Sequence, residues 1–243
     1  MLKSYLKFYN QLIKFSQFVK IFFIRILSKS VNLYLAKDKT KICAIWENIP
    51  IFVINLEKRP DRLISVTRAL RCMGIENFVR FNAKVDQYPK RGCAKSHLSL
   101  WEKSLNNSAN IVMICEDDLE FVGNIRTLRK SLDDFINEKD IHVLCIANLT
   151  KDYPVKITRN LRRTQNVQTT ACYLVKKEVL KDLIRCGEKS IAQLTSSNGV
   201  SGAIDKVWKD IQGERVFTIP RSILCIQSAG HSDIENRKVR YLY

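Results

Sequence analysis

The apolar run Ile111-Val112-Met113-Ile114-Cys115 ends in three consecutive carboxylates, Glu116-Asp117-Asp118. A short apolar run bounded in this way reads as a buried strand. Burying an unpaired carboxylate is costly, so a strand with this ending needs a cation, hydrogen-bond donors or open water beside it. A divalent metal carrying a diphosphate meets that need, because hard cations prefer carboxylate oxygens and keep phosphate and water as their other ligands. A solvated strand end before a turn is the plainer alternative. If the strand continues past Cys115, Glu116 and Asp118 share one side and Asp117 faces the other. Asp117 then touches a ribose or sugar borne by such a diphosphate, or only caps the next turn.

Around this strand, apolar runs alternate with helix-like segments, the pattern of an α/β layer structure. Strands are expected at 51–56, 78–81, 111–115, 141–147, 171–175, 216–219 and 223–226. Helices are expected at 61–73, 93–105 and 177–186, with a short one from about residue 203. Pro60 and Gly74 mark the start and stop of the first helix. The layout is compatible with an open sheet that binds a nucleotide at the carboxyl ends of its strands. No Gly-x-Gly-x-x-Gly or Walker-type loop is present, which disfavours dinucleotide oxidoreductases and P-loop enzymes.

Three more motifs accompany the acids. Phe52-Val53-Ile54-Asn55-Leu56 runs on to Arg59-Pro60-Asp61-Arg62. Gly92-Cys93-Ala94-Lys95-Ser96-His97 follows, and His231-Ser232-Asp233-Ile234 comes near the end. In order and spacing the set resembles glycosyltransferase family 25, which includes bacterial lipooligosaccharide galactosyltransferases and the collagen galactosyltransferases. The resemblance runs from about Pro50 to Asn236. Each motif alone is weak; the combination is specific.

The resemblance implies a GT-A-like open nucleotide-sugar-binding sheet with flanking helices. It implies an inverting transferase that moves a hexose, galactose from UDP-galactose, onto a glycan or lipid-linked saccharide such as lipooligosaccharide. Mn²⁺ or Mg²⁺ is the expected cofactor and a UDP-sugar the expected donor. Asp118 is the expected direct metal ligand, Glu116 acts through water or on the donor, and His231 completes the metal sphere. Asn55, Arg59, Asp61 and Arg62 fall where the family receives the nucleotide; an exposed, charged first helical turn is the plainer reading of Asp61 and Arg62. Ser96 and His97 lie near a helix start, a place that attracts anions, and so near donor phosphate or sugar. Asp205 resembles the family's late acidic position and is the candidate general base, with Asp233 as its rival.

Composition narrows the partners. The chain has 243 residues, 46% of them hydrophobic, which suits a globular protein rather than a disordered one. Its formal net charge is +17, a surplus that favours anionic partners such as nucleotide diphosphates, phosphorylated glycans or anionic lipid. A nucleic-acid-binding protein is the alternative on charge alone, but no zinc-finger or RNP motif accompanies it, and no nucleic acid is expected. A family member that binds nucleotide sugar without transferring it is the second alternative; intact Glu116, Asp117, Asp118 and Asp205 argue against it. The stretch from Tyr153 to Lys177 contains no acid and several cations, and is expected to be a basic loop, either solvated or facing a phosphorylated acceptor. Eight cysteines occur without a Cys-x-x-Cys pair, which disfavours zinc ribbons and points to reduced core residues in a reducing compartment.

Residues 1–48 form an expected N-terminal segment, and 49–243 the glycosyltransferase domain. Residues 1–36 are apolar and basic without acids, and cations interrupt them too often for a spanning helix. At helical spacing Lys3, Lys7, Lys14, Arg25 and Lys29 gather in one sector opposite an apolar one. A basic amphipathic helix suits an anionic membrane surface, here the cytoplasmic face. Packing on the catalytic domain or on a second subunit is the alternative.

Overall fold

The computed structural model describes residues 42–150, 152–232, 234 and 237–239. The first strands and helices alternate: β1 (Ile51–Asn55), α1 (Pro60–Cys72), β2 (Val79–Asn82), α2 (Pro89–Leu105) and β3 (Ile111–Glu116). A short β4 (Leu119–Phe121) and helix α3 (Ile125–Asn137) follow. Next come β5 (Val143–Cys145), β6 (Leu149–Thr150), β7 (Val155–Lys156), β8 (Leu161–Thr164), β9 (Val167–Gln168) and β10 (Cys172–Lys176). Helix α4 (Leu180–Ser196), the short α5 (Ile204–Val207), β11 (Phe217–Pro220), β12 (Cys225–Gln227), β13 (Gly230–Ser232) and β14 (Arg237–Val239) complete the order.

Eight strands form one mixed sheet in the order β2-β1-β3-β10-β5-β11-β8-β7. β2, β1 and β3 are parallel, as helical crossovers require. β10 then enters antiparallel between β3 and β5, and β11 lies parallel to β5. Both faces are covered, so the central strands read as continuous apolar runs rather than alternating ones. Val53, Met113, Cys115 and Leu174 point into one core with Val66 and Leu70 of α1 and Leu128, Leu132 and Phe135 of α3. Phe52, Ile54, Val112, Ile114 and Tyr173 point into the other, with Leu100 and Trp101 of α2 and Leu183 of α4. Two-residue alternation thus divides each strand between two cores. This is the open α/β sheet with flanking helices that the sequence predicts.

Several expectations are corrected. β3 stops at Glu116, and Asp117-Asp118 form the turn into β4, so strand alternation does not extend through the acids. α2 begins at Pro89, a turn earlier than expected, because Pro at a first helical position fixes a helical φ without wasting a donor. The stretch expected as a basic loop carries β7, β8 and β9. Residues 42–46 are helical, and Ile42 and Trp46 lie in the first core, with Trp46 Nε1 donating to the Met73 carbonyl at 2.9 Å. The packed unit therefore reaches back past the expected boundary at residue 48. The amphipathic segment 1–36 lies outside the described residues. Among those described, no helix is long and apolar enough to cross a membrane. All eight cysteines are free.

Candidate active site

The site sits at the sheet edge where β1 and β3 end and β10 begins. Register places Ile54 opposite Glu116 and Cys172 opposite Cys115. Side chains from distant parts of the chain therefore meet there.

The acids are held in different ways. Asp117 turns towards β1: its Oδ2 accepts from Asn55 Nδ2 at 2.7 Å, and its Oδ1 from Arg62 Nη1 at 2.9 Å. Asn55 Oδ1 in turn accepts from Arg80 Nε at 2.9 Å, which ties β2 into the same cluster. Burial pushes the Asp117 carboxyl up, against the pull of Arg62 and Asn55. Glu116 Oε1 accepts from Thr170 Oγ1 at 2.6 Å and meets His97 Nε2 at 3.2 Å. Burial raises its carboxyl, but His97 and Thr170 outweigh burial and leave it below its usual range. Asp118 is left without such help. Its Oδ2 has Gln227 Nε2 at 3.4 Å, and its Oδ1 is buried with no hydrogen-bond partner among the described residues. Burial first, and the neighbouring Glu116 second, push its carboxyl up to about 7.

The Gly-Cys…Ser-His motif has a structural meaning. A Cβ on Gly92 would lie 2.4 Å from the Lys84 carbonyl oxygen, so only glycine lets the 83–86 segment pass this close to α2. Ser96 Oγ then accepts from the Lys84 amide at 2.8 Å and donates to the Gly92 carbonyl. Asp86 accepts from Arg91 Nε at 2.9 Å and Lys95 Nζ at 2.7 Å, and these two hold its carboxyl well below the usual carboxylate range. His97 is fully buried, and its Nε2 lies 3.2 Å from Glu116 Oε1. Trp101 Nε1 donates to Tyr173 Oη at 2.8 Å, and the buried Tyr173 hydroxyl lies 3.0 Å from His97 Nδ1.

The acids floor a cleft of about 570 Å³, whose other walls include Ile54, Arg62, Lys84 and Ser96. A second cavity of about 340 Å³ adjoins it and shares Cys93, Glu116 and Gln227. Asp205 lines this second cavity with Gln168, Thr169 and Thr170. Burial raises the Asp205 carboxyl, against a hydrogen bond from Gln168. Gly202, with φ +100°, turns the chain into α5, and its carbonyl accepts from Ser190 Oγ. Thr169 has φ +84°, a strained value for a β-branched residue, and it orients Thr170 towards Glu116.

The structure thus brings together Asn55, Arg62, Ser96, His97, Glu116, Asp117, Asp118 and Asp205 around two joined cavities. Arg59 and Asp61 pair with each other at 2.8 Å, with Asp61 largely exposed. Asp233 and the side chain of His231 lie outside the described residues. Thr170, Gln227 and Tyr173 were not expected. Tyr173 and Gln227 lie on strands, and Thr170 on the link between β9 and β10, that reach the acids only through sheet pairing, and no local pattern marks them.

A hard divalent cation fits Asp118, whose buried Oδ1 lacks a donor. A second group, Cys93, His97 and Glu116, has ligand atoms within 4.8 Å of one another. Both His97 nitrogens are already engaged, and burial raises the Cys93 thiol well above its ordinary value, so this trio suits Mn²⁺ or Mg²⁺ poorly.

The cleft lies at the carboxyl ends of β1 and β3, the place where open α/β sheets bind their ligands. Residues 88–198, somewhat less than half of the chain, match the model of glycosyltransferase family 25 (LPS biosynthesis protein), so the resemblance carried by the motifs holds over that span. The match takes in α2, the acids and α4; Asn55, Arg62 and Asp205 lie outside it. A protein of Haemophilus influenzae (strain ATCC 51907 / DSM 11121 / KW20 / Rd) described as "Putative glycosyltransferase" is 38% identical over 76 residues, 28% of this chain. That segment spans only 26% of the relative's own length. Among solved structures, a glycosyltransferase involved in glycosylation of the major capsid of PBCV-1 is 10% identical, with a TM-score of 0.49 over 77% of this chain and 96% of that one. The inositol-1-phosphate CTP transferase of T. maritima is 14% identical, with a TM-score of 0.37 over 78% and 74%.

Proposed function

We propose that this chain is an inverting, metal-dependent hexosyltransferase. It moves galactose from UDP-galactose onto a glycan or lipid-linked saccharide such as lipooligosaccharide. It works at the cytoplasmic face of a membrane. The observation that carries the reading is Asp118: a buried carboxylate with one unsatisfied oxygen, on the floor of a cleft of about 570 Å³. That volume lies within the ordinary range for a small-molecule site of about 300–1,000 Å³.

Asp118 would hold Mn²⁺ or Mg²⁺ directly, with Glu116 acting through water or the donor and His231 as a further ligand. A cation there supplies neutralising charge for the diphosphate as it leaves. Asn55 and Arg62 fix Asp117 and with it the turn that carries Asp118. Arg59 and Asp61 are assigned to the nucleotide, Arg59 being suited to forked contact with phosphate oxygens. Inversion requires a carboxylate that takes the proton from the acceptor hydroxyl as its oxygen bonds the anomeric carbon. A metal-bound carboxylate is a poor base, because the cation lowers its proton affinity. Asp205, in the adjoining cavity, is free of that constraint, and its raised carboxyl favours accepting a proton.

The direct test is a screen of UDP-sugars with Mn²⁺ for release of UDP, with and without saccharide acceptors. UDP-galactose is the expected donor. No release from any sugar nucleotide, with the protein shown to be folded, would refute the reading.

A further inference from the structure

At the far end of the same sheet edge lies a small basic cavity that the transfer chemistry does not use. It encloses about 160 Å³ and is lined by Lys156, Thr158, Arg159, Leu161, Arg162 and Arg221. Lysine and three arginines thus surround a space of phosphate size. Among the described residues, none of the four cationic side chains makes an ion pair or a side-chain hydrogen bond. The carboxylate among the described residues that bonds a lining residue is Asp134. It is consumed in building the turn: it accepts from Thr158 Oγ1 and from the Asn160 amide and side chain at 3.2 and 3.0 Å. Arg221 is brought in by its own amide, which donates to the Asn160 carbonyl at 2.7 Å. The β7–β8 hairpin and the end of β11 therefore hold four like charges together, with Arg162 half-buried and Lys156, Arg159 and Arg221 exposed at the mouth, an arrangement that attracts anions.

The position is informative. β11 runs parallel to β5, and Pro220 at its end pairs with Leu161, so the basic cavity opens at the edge that carries Glu116. Along that edge the order is the larger cleft by β1 and β3, the acids, the Asp205 cavity by β10, and then the basic cavity by β8. Four strand spacings separate β3 from β8, roughly 20 Å at about 4.8 Å each.

We infer that this cavity binds a phosphomonoester group carried by the acceptor, at a distance from the reacting hydroxyl. The forked guanidinium groups match phosphate oxygens in pairs. Assigning the phosphate to the acceptor rests on the transferase reading above; the phosphate site itself does not.

The test avoids turnover for that reason. The full-length chain is labelled with phenylglyoxal, and each arginine is followed by peptide mass mapping. Glucose 6-phosphate is the probe, against glucose with sodium chloride at matched ionic strength. Phosphatidic acid vesicles form a second arm, against phosphatidylcholine alone. Arg159, Arg162 and Arg221 should label several-fold more slowly with glucose 6-phosphate, while Arg163, bonded to the Gly213 carbonyl, should not change. In the double variant R162Q/R221Q the protection of Arg159 should vanish. Protection by the vesicles alone would keep the phosphate site and make membrane lipid its source. Equal labelling with and without both probes, or undiminished protection in the variant, overturns the site. Because no donor is present, neither result depends on whether the chain transfers galactose.

Discussion

Asp118 is buried, and one of its oxygens has no hydrogen-bond partner among the described residues. Its carboxyl is raised to about 7 against 3.8 in a free chain. Between those values the unfolded chain releases the proton and the folded one keeps it, so stability falls as pH rises from about 4 to 7. Without added cation, Asp118→Asn should therefore unfold at a higher temperature than the native chain at pH 8, with the gap closing near pH 4. Mn²⁺ should raise the melting temperature of the native chain at pH 8 and leave the variant nearly unmoved. The same variant should lose most activity, and chelation should abolish turnover until Mn²⁺ is restored. Full activity in excess EDTA would remove the metal from the mechanism. Asp205 belongs to a different role. Asp205→Asn should lower kcat by about 10²-fold or more, the loss expected of a general base, with little change in affinity for UDP. Asp233→Asn should instead weaken donor binding. The reverse pattern would exchange the two assignments.

The elements place these residues through a few special positions. Gly202 is one. Its φ is +100°, and a Cβ there would meet Gln193 Cβ at 2.5 Å. Gly202→Ala should cost about 1–3 kcal/mol, the usual range for a forced backbone outlier, and should also lower kcat because the turn delivers Asp205. Denaturant unfolding and steady-state kinetics separate the two effects; a variant as stable and active as the native chain would show that the turn does not constrain Asp205. β1, β3 and α1 were legible from the sequence because their apolar runs and their Pro and Gly boundaries are local signals. Asn55, Arg62 and Asp117 could each be singled out, but their mutual hydrogen bonds span the sheet and leave no trace in spacing. Thr170 and Gln227 illustrate the limit: each reaches the acids through pairing with a strand distant in sequence. α3 is a different case. Ile125, Leu128, Leu132 and Phe135 are buried at helical spacing, with Arg126, Arg129, Lys130 and Asp133 between them, so its amphipathic period stands in the sequence although a search for continuous apolar runs passes over it. The β7–β8 hairpin is hidden by its charge, since basic strands at a sheet edge resemble a solvated loop.

At the scale of the whole chain, the formal charge of +17 has two separable destinations. One is the sheet edge with its basic cavity; the other is Lys3, Lys7, Lys14, Arg25 and Lys29, which the sequence expects on one side of an amphipathic helix. The core fixes where the two can be divided. Ile42 is fully buried and Trp46 bonds to the Met73 carbonyl, so a cut that spares the fold must fall before residue 42. A chain beginning at residue 37 meets that condition. Full-length protein should co-sediment with phosphatidylglycerol vesicles, and salt should weaken the association by screening the exposed charges. The shortened chain should stay in solution and keep its transfer to a soluble acceptor. Phosphatidylglycerol offers a phosphodiester, which keeps this experiment apart from the phosphomonoester cavity. Equal partitioning of the two chains would assign residues 1–36 to the fold or to a subunit contact. Loss of transfer on shortening, with the melting temperature unchanged, would assign them to the handling of the acceptor.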